Sequence, residues 1–485
     1  MVLLFTHQNS PRLHYIVGEV FERRLGLSVN ITHDLDSFLS ENNAIKLAYT
    51  PVPIEDEKNP SIVWIYNSGF LFEDFVREPS WRPVGKTLNI HVTDRTIPPQ
   101  ITSVLSLFPL VDLSILSSTR EIESQEITSR QLPFDLFSSV FWCLTRYEEV
   151  QWGIAENTDS KIQTDPHGRF PAKASLLSTL GCLDTPIVDQ WVCILGKAIG
   201  STVKNSFQIV PTADIDMALR YGGRSLVTQL GSAVRDLFNS PSLFFERLRV
   251  LLGGKDPYAM DQEVVQFLRA ADIPDALTPK LFVLAAENRD VRNKQISRSS
   301  LQSELHRLKS HKDYDDRWLG IHPSWQEKRN ALKTLTSWKN EMYNLESVHG
   351  KKLKDSRFHY IHLHFPQSYQ LILQLGIETD WSMGYPDAVG FRAGTAIPYR
   401  WYDVNAEKET SLGVVPFCIM DVTCKNYLKL TPSDSIILAN SLKQKIQSFG
   451  GVFCFIFHNE SVSESQPWIG WREVISSWSN LNHTE

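Results

Sequence analysis

Two carboxylates one residue apart, Asp214 and Asp216, stand out in the run Pro211-Thr212-Ala213-Asp214-Ile215-Asp216. The apolar residues before them, Phe207, Ile209 and Val210, read as a buried strand. Side chains alternate faces along a strand, so Asp214 and Asp216 point the same way while the chain stays extended. Like charges that close repel unless a cation or a shared proton lies between them. Taken alone, the pair also suits a loop in which one Asp caps the following helix. At the carboxyl end of a strand it suits a metal and acid–base site, because barrel and open-sheet enzymes keep their chemistry there.

Further polar residues fall at the ends of later apolar runs. His322 ends the run 318–321, and His458 ends the run 452–457. Arg357 and His359 open a run that reaches His364. Asp380-Trp381 lies on the next strand, a glycine-flanked loop at 390–394 carries Arg392, and Asp421 follows the run 416–420. One His at a strand end is ordinarily a satisfied polar residue. Several such residues at the carboxyl ends of strands in one sheet converge on one face. An Asp with one or more His offers oxygen and nitrogen donors suited to Zn²⁺ or another first-row divalent ion with an open position. A second Asp as general base and a His as general acid would complete a metal-assisted hydrolysis site. No serine nucleophile elbow, phosphate loop or dinucleotide fingerprint competes with that reading.

The elements that must position these residues alternate strand and helix from residue 207 onward. Strand signals at 281–286, 318–322, 358–364, 377–382, 414–420 and 452–458 are mostly followed by helical stretches, such as 326–345 and 433–449. Such alternation implies βα units and a mainly parallel sheet. The expected fold class is α/β: an N-terminal α/β accessory domain over 1–200, then a distorted (β/α)-type barrel of about seven strands over 201–485. The first domain is expected to hold strands at 2–5, 45–49, 62–66 and 88–92, and a helix that starts at Ser10-Pro11. It carries no recognisable catalytic motif. Its segment Asp165-Pro-His167-Gly-Arg169 reads as a hydrogen-bonded loop against the next domain.

Composition narrows the partners. A chain of 485 residues with 42% apolar and 21% charged residues is ordinary for a globular protein with a sizeable core. The formal net charge of −6 gives no global electrostatic case for nucleic acid or an anionic membrane. Six cysteines without a CxxC pair read as reduced thiols rather than disulfides or zinc ligands. No stretch reaches the length of a membrane span and the N-terminus lacks a signal-peptide pattern, so a soluble cytoplasmic protein is expected. The sequence leaves the oligomeric state open.

The order Thr-Ala-Asp214-Ile-Asp216, Ile-His322-Pro-Ser, Arg357-Phe-His359, Asp380-Trp and Ile-Phe-His458 resembles the polysaccharide deacetylases of the NodB-homology group, carbohydrate esterase family 4. The nearest likeness is to a bacterial two-domain branch with an uncharacterised N-terminal domain. The resemblance is loose at the start and best from residue 205. It implies a metal-dependent hydrolase that removes an acyl group from a carbohydrate or other sugar-containing substrate. It places the catalytic base on Asp214, metal ligation on Asp216 and His322, and the general acid on His458. Arg357, with Arg392 as its rival, takes the place of the arginine that orients the base. Asp380 falls where the family sets the imidazole's tautomer and pKa. The family's second His ligand is Gln326 here, and His359 is the nearest substitute by strand position. That departure keeps an alternative open: a glycan-binding or scaffold protein of reduced activity that retains the barrel pocket. A bound divalent metal, expected to be Zn²⁺, would separate the two.

Overall fold

A computed structural model describes residues 1–54, 61–78, 81–83, 85–89, 103–108, 131–158, 164–202, 206–224, 226–260, 262–270, 277–287, 290–326 and 330–480. The first half carries β1 (Val2–Phe5), β2 (Val29–Thr32), β3 (Ile45–Thr50), β4 (Val63–Tyr66), β5 (Lys86–Asn89), β6 (Ser103–Ser106) and β7 (Gln131–Leu132). Five of them form a parallel sheet in the order β2-β1-β3-β4-β7, and β5 and β6 pair as an antiparallel ribbon. The strand expected at 88–92 extends beyond the described residues. The first helix, Pro11–Val17, starts as its sequence requires: the Ser10 side chain accepts from Leu13 N and proline fills the first turn.

The second half builds one nine-stranded sheet from β8 (Phe207–Ile215), β9 (Lys280–Val283), β10 (Leu319–Ile321), β11 (Asp355–Ser356), β12 (Thr379–Met383), β13 (Tyr399–Asp403), β14 (Lys408–Pro416), β15 (Ile419–Met420) and β16 (Gly451–His458). Their order is β13-β14-β12-β11-β10-β9-β8-β16-β15, parallel except for the β13–β14 hairpin. The expected count of about seven is therefore corrected to nine. Two local causes account for the difference. The aromatic run Tyr399–Asp403 forms a hairpin strand, and the apolar run at 414–420 breaks between Pro416 and Ile419. At that break Phe417 N donates to Met383 O while Cys418 N donates to Cys454 O, at 3.2 and 3.0 Å. One short segment thus ties β12 to β16 and curls the sheet.

The expected strand at 358–364 is also corrected. Only Asp355–Ser356 is extended there, and Tyr360 and Ile361 adopt left-handed backbone with φ of 61° and 52°. Left-handed residues cannot continue a ladder, so the chain turns out of the sheet after His359.

The two halves share one continuous apolar core that runs from Val2 and Phe137 to Trp381 and Trp478. Buried ion pairs cross the same boundary. Arg24 meets Asp189 at 2.5 Å and shares it with Thr395, while Glu149 receives Arg392. All six cysteines are free thiols.

Candidate metal and acid–base site

The strand ends bring the candidates together. His458 is the residue that pairs with Asp214 in the parallel β16–β8 register. The ladder continues past the neighbouring strands: His322 N donates to Val283 O, Arg357 N to Ile321 O and His359 N to Pro323 O. These bonds fix the backbone from which each side chain enters one cleft of about 420 Å³, whose lining includes Asp214, Asp216, His322, His359 and His458. The left-handed turn at Tyr360-Ile361 follows His359 immediately. Backbone of this kind is stored where a site over-determines it.

Asp216 is the centre of the cluster. Its Oδ1 lies 3.2 Å from His322 Nε2 and 3.4 Å from His359 Nε2, and one ligand atom from each residue falls within 4.8 Å of the others. The proton positions follow from the outer bonds. His322 Nδ1 is 2.6 Å from Arg357 O, which can only accept, so Nδ1 carries the hydrogen. His359 Nδ1 faces Asn293 Oδ1 at 3.3 Å, and the same amide oxygen accepts from Trp325 N. Nδ1 of His359 is therefore also the donor. With both rings neutral, as a bound metal requires, their Nε2 lone pairs face Asp216 Oδ1. Three such converging acceptors repel one another, and a divalent cation resolves that arrangement. Burial pushes the pKa of His359 down, against the pull of Asp216, and so favours the neutral ring a metal requires. Burial works to raise the Asp216 carboxyl, but His359, His322 and His458 outweigh it and hold it well below its ordinary value. The donor set fits a first-row divalent ion with open positions.

Asp214 and His458 flank this cluster. Arg357, fully buried, spans Asp214 Oδ1 at 3.0 Å, Thr212 Oγ1 at 2.7 Å and Trp381 O at 2.9 Å. That leaves Asp214 Oδ2 facing the cleft, 4.0 Å from His322 Nε2. His458 Nε2 lies 3.8 Å from Asp216 Oδ2, while its Nδ1 bonds Asp421 Oδ1 at 2.8 Å. Burial works against a charged His458, but Asp421 and then Asp216 and Asp214 outweigh it, so its pKa stands well above 6.5.

Two expected site residues lie elsewhere. Asp380 does not touch His458. It accepts from Tyr369 Oη, Ser356 Oγ, and both the N–H and hydroxyl of Ser382, so it ties Ser356, the residue before Arg357, to β12. Arg392 does not reach Asp214 either; its guanidinium clamps Glu149 and the carbonyl of Gly384. Arg357 alone of the two arginines engages Asp214. Gln326 Nε2 bonds Ser324 Oγ at 2.7 Å. Two further residues complete the site: Asp421 behind His458 and Asn293 behind His359. Asp421 follows β15 and so shares the strand-end signal; nothing in the sequence around Asn293 marks it.

Residues 2–204 match a family of unknown function, DUF7033. No curated protein matches the chain. Among solved structures, a protein named as a polysaccharide deacetylase from Mycobacterium smegmatis aligns at 13% identity and a TM-score of 0.36 over 57% of this chain and 85% of that one. Puue allantoinase aligns at 9% identity and a TM-score of 0.32, covering 57% and 83%. A protein named as a polysaccharide deacetylase from Pseudomonas aeruginosa PAO1 aligns at 10% identity and 0.32, covering 57% and 84%. These are distant likenesses and assign no activity to the chain.

The first half also reaches the cleft. In the loop at 165–169, Arg169 is tied to Asp165 and donates to Tyr360 O at 2.6 Å and to Tyr427 Oη at 3.0 Å. His167 lines the cleft beside Tyr360, with ring centroids 5.0 Å apart. The loop is hydrogen-bonded against the second half, and it also forms one wall of the site.

Proposed function

We propose that the chain is a metal-dependent hydrolase that removes an acyl group from an amide or ester on a sugar-containing substrate. The observation that carries this reading is the convergence of Asp216, His322 and His359 beside two separately supported acid–base groups, Asp214 with Arg357 and His458 with Asp421. A divalent ion held by Asp216, His322 and His359 would supply Lewis-acid polarisation of the scissile carbonyl.

The remaining work belongs to the chain's own residues. Asp214 takes a proton from the attacking water at Oδ2, because Oδ1 is engaged by Arg357. The water oxygen bonds to the acyl carbon as the bond to the leaving nitrogen or oxygen breaks. His458 gives the Nε2 proton to that leaving atom, and Asp421 holds the ring so that Nε2 faces the cleft. The raised pKa of His458 keeps it protonated near neutral pH, as a general acid requires. Tyr360 and Tyr427 bring aromatic side chains to the lining of the cleft, where a sugar ring would pack. The sugar-containing substrate class rests on these aromatic side chains and on the motif resemblance.

The test is hydrolysis of N-acetylated and O-acetylated sugars by the purified protein loaded with Zn²⁺, with Asp214→Asn as the control. Release of acyl group by the wild type and not by a folded Asp214→Asn protein is the expected result. Equal release by both would sink the assignment of the base.

A further inference from the structure

Between β8 and β9 the chain forms a helical hairpin, Leu226–Asn239 followed by Pro241–Leu251. Its polarity is inverted. Gln229, Asp236 and Arg247 are buried between the helices, where Arg247 bonds Asp236 Oδ2 at 2.6 Å and Gln229 Oε1 at 2.7 Å. Outward, Val227, Leu230, Val234 and Phe238 recur at helical spacing on one face, and Phe245 and Leu252 extend it; each is more than half exposed. A hairpin that hides its charges and presents large apolar side chains to water is costly unless that face is covered.

The exposed charges indicate the cover. Arg235 and Arg249 are exposed cations beside the apolar face. Of the hairpin's two acidic side chains, Asp236 is buried on Arg247 with its Oδ1 3.8 Å from Arg235 Nε, and Glu246 turns onto Tyr221 and Ser465. That leaves Arg249 without a partner acid in the hairpin and the Arg235 side chain 69% exposed. Neither helix is long enough to cross a bilayer, and no helix among the described residues is long and apolar enough to do so. Apolar side chains flanked by arginines suit a helix pair lying in the plane of an anionic bilayer surface. A second copy of this chain would bring the same arginines together. The segments that lead from β8 into the hairpin and out of it are held beside the site, where Asn459 donates to Met217 O and Tyr258 O.

We infer that this hairpin docks the protein on an anionic lipid surface. The docking is independent of the hydrolase reading and is tested without any activity measurement. The full chain is sedimented with vesicles of phosphatidylcholine alone or containing about one third phosphatidylglycerol. The expected result is co-sedimentation with the anionic vesicles, lowered about tenfold or more in Leu230→Ser/Phe238→Ser/Phe245→Ser and several-fold in Arg235→Glu/Arg249→Glu. All these positions are exposed, so an unchanged melting temperature confirms that the variants fold. Three results would overturn the inference: no co-sedimentation of the wild type, binding undiminished in the triple-serine variant, or a dimer in ultracentrifugation that the triple-serine variant dissociates while neither protein binds vesicles. The last would show that a second copy covers the face.

Discussion

His458 is held by a single carboxylate at two points: its Nδ1 lies 2.8 Å from Asp421 Oδ1, and its backbone N–H donates to Asp421 Oδ2 at 2.7 Å. This contact fixes the ring's tautomer and stabilises its protonated form. Replacing Asp421 with Asn removes the charge and keeps the shape. The expected outcome is a kcat lowered about 10²-fold with little change in KM. A group that must be protonated loses function above its pKa, so lowering that pKa moves the basic limb of the kcat profile to lower pH. A pH–rate profile unchanged from wild type would show that Asp421 only supports the backbone.

Arg357 and Asp214 form an ion pair with essentially no solvent access. Removing one partner leaves the other charge buried, at a cost of about 3–5 kcal/mol. Arg357→Met is therefore expected to lower unfolding free energy by roughly that amount in denaturant titration. It is also expected to lose activity in the fraction that remains folded.

Glu341 provides a pH test of the scaffold. It accepts from Ser324 N and Ser324 Oγ, just past His322, and burial pushes its pKa up to about 7. The folded state then binds a proton more tightly than the unfolded chain does between about pH 4.5 and 7. Stability from this group is present below that window and is lost as pH rises through it, by on the order of 3 kcal/mol at most. Glu341→Gln is expected to flatten this slope. The check is chemical denaturation of both proteins at a series of pH values.

The Glu149–Arg392 pair joins the two halves with both side chains about 2% exposed. Glu149→Ala is expected to destabilise the whole chain by about 3–5 kcal/mol in one cooperative transition. Two separate melting transitions in the wild type would contradict a shared core.

Much of the second half was legible because its chemistry lies at strand ends. Asp214, Asp216, His322 and His458 each terminate or directly follow an apolar run, and alternation alone placed the two carboxylates on one face. Arg357 and His359 were legible as residues but not as geometry, because the left-handed Tyr360-Ile361 step that turns the chain after His359 carries no glycine to announce it. Arg392 was misread because its partner, Glu149, lies 243 residues away. Asp380 was misread because a polar residue in a strand can serve its neighbours' backbone as readily as a site, and here it grips Ser356 and Ser382. The inverted hairpin defeats a periodicity reading altogether: its apolar stripe looks like a core-facing face and points outward.

Metal content is the most direct measurement of the site. Purified protein is stripped with chelator, reloaded with Zn²⁺, and analysed by elemental mass spectrometry and calorimetry. One ion per chain is expected, with affinity lowered at least about tenfold in His322→Ala, His359→Ala and Asp216→Ala and unchanged in Gln326→Ala. A reproducible absence of stoichiometric metal in the folded wild type, or an affinity indifferent to all three ligand substitutions, would contradict the assignment.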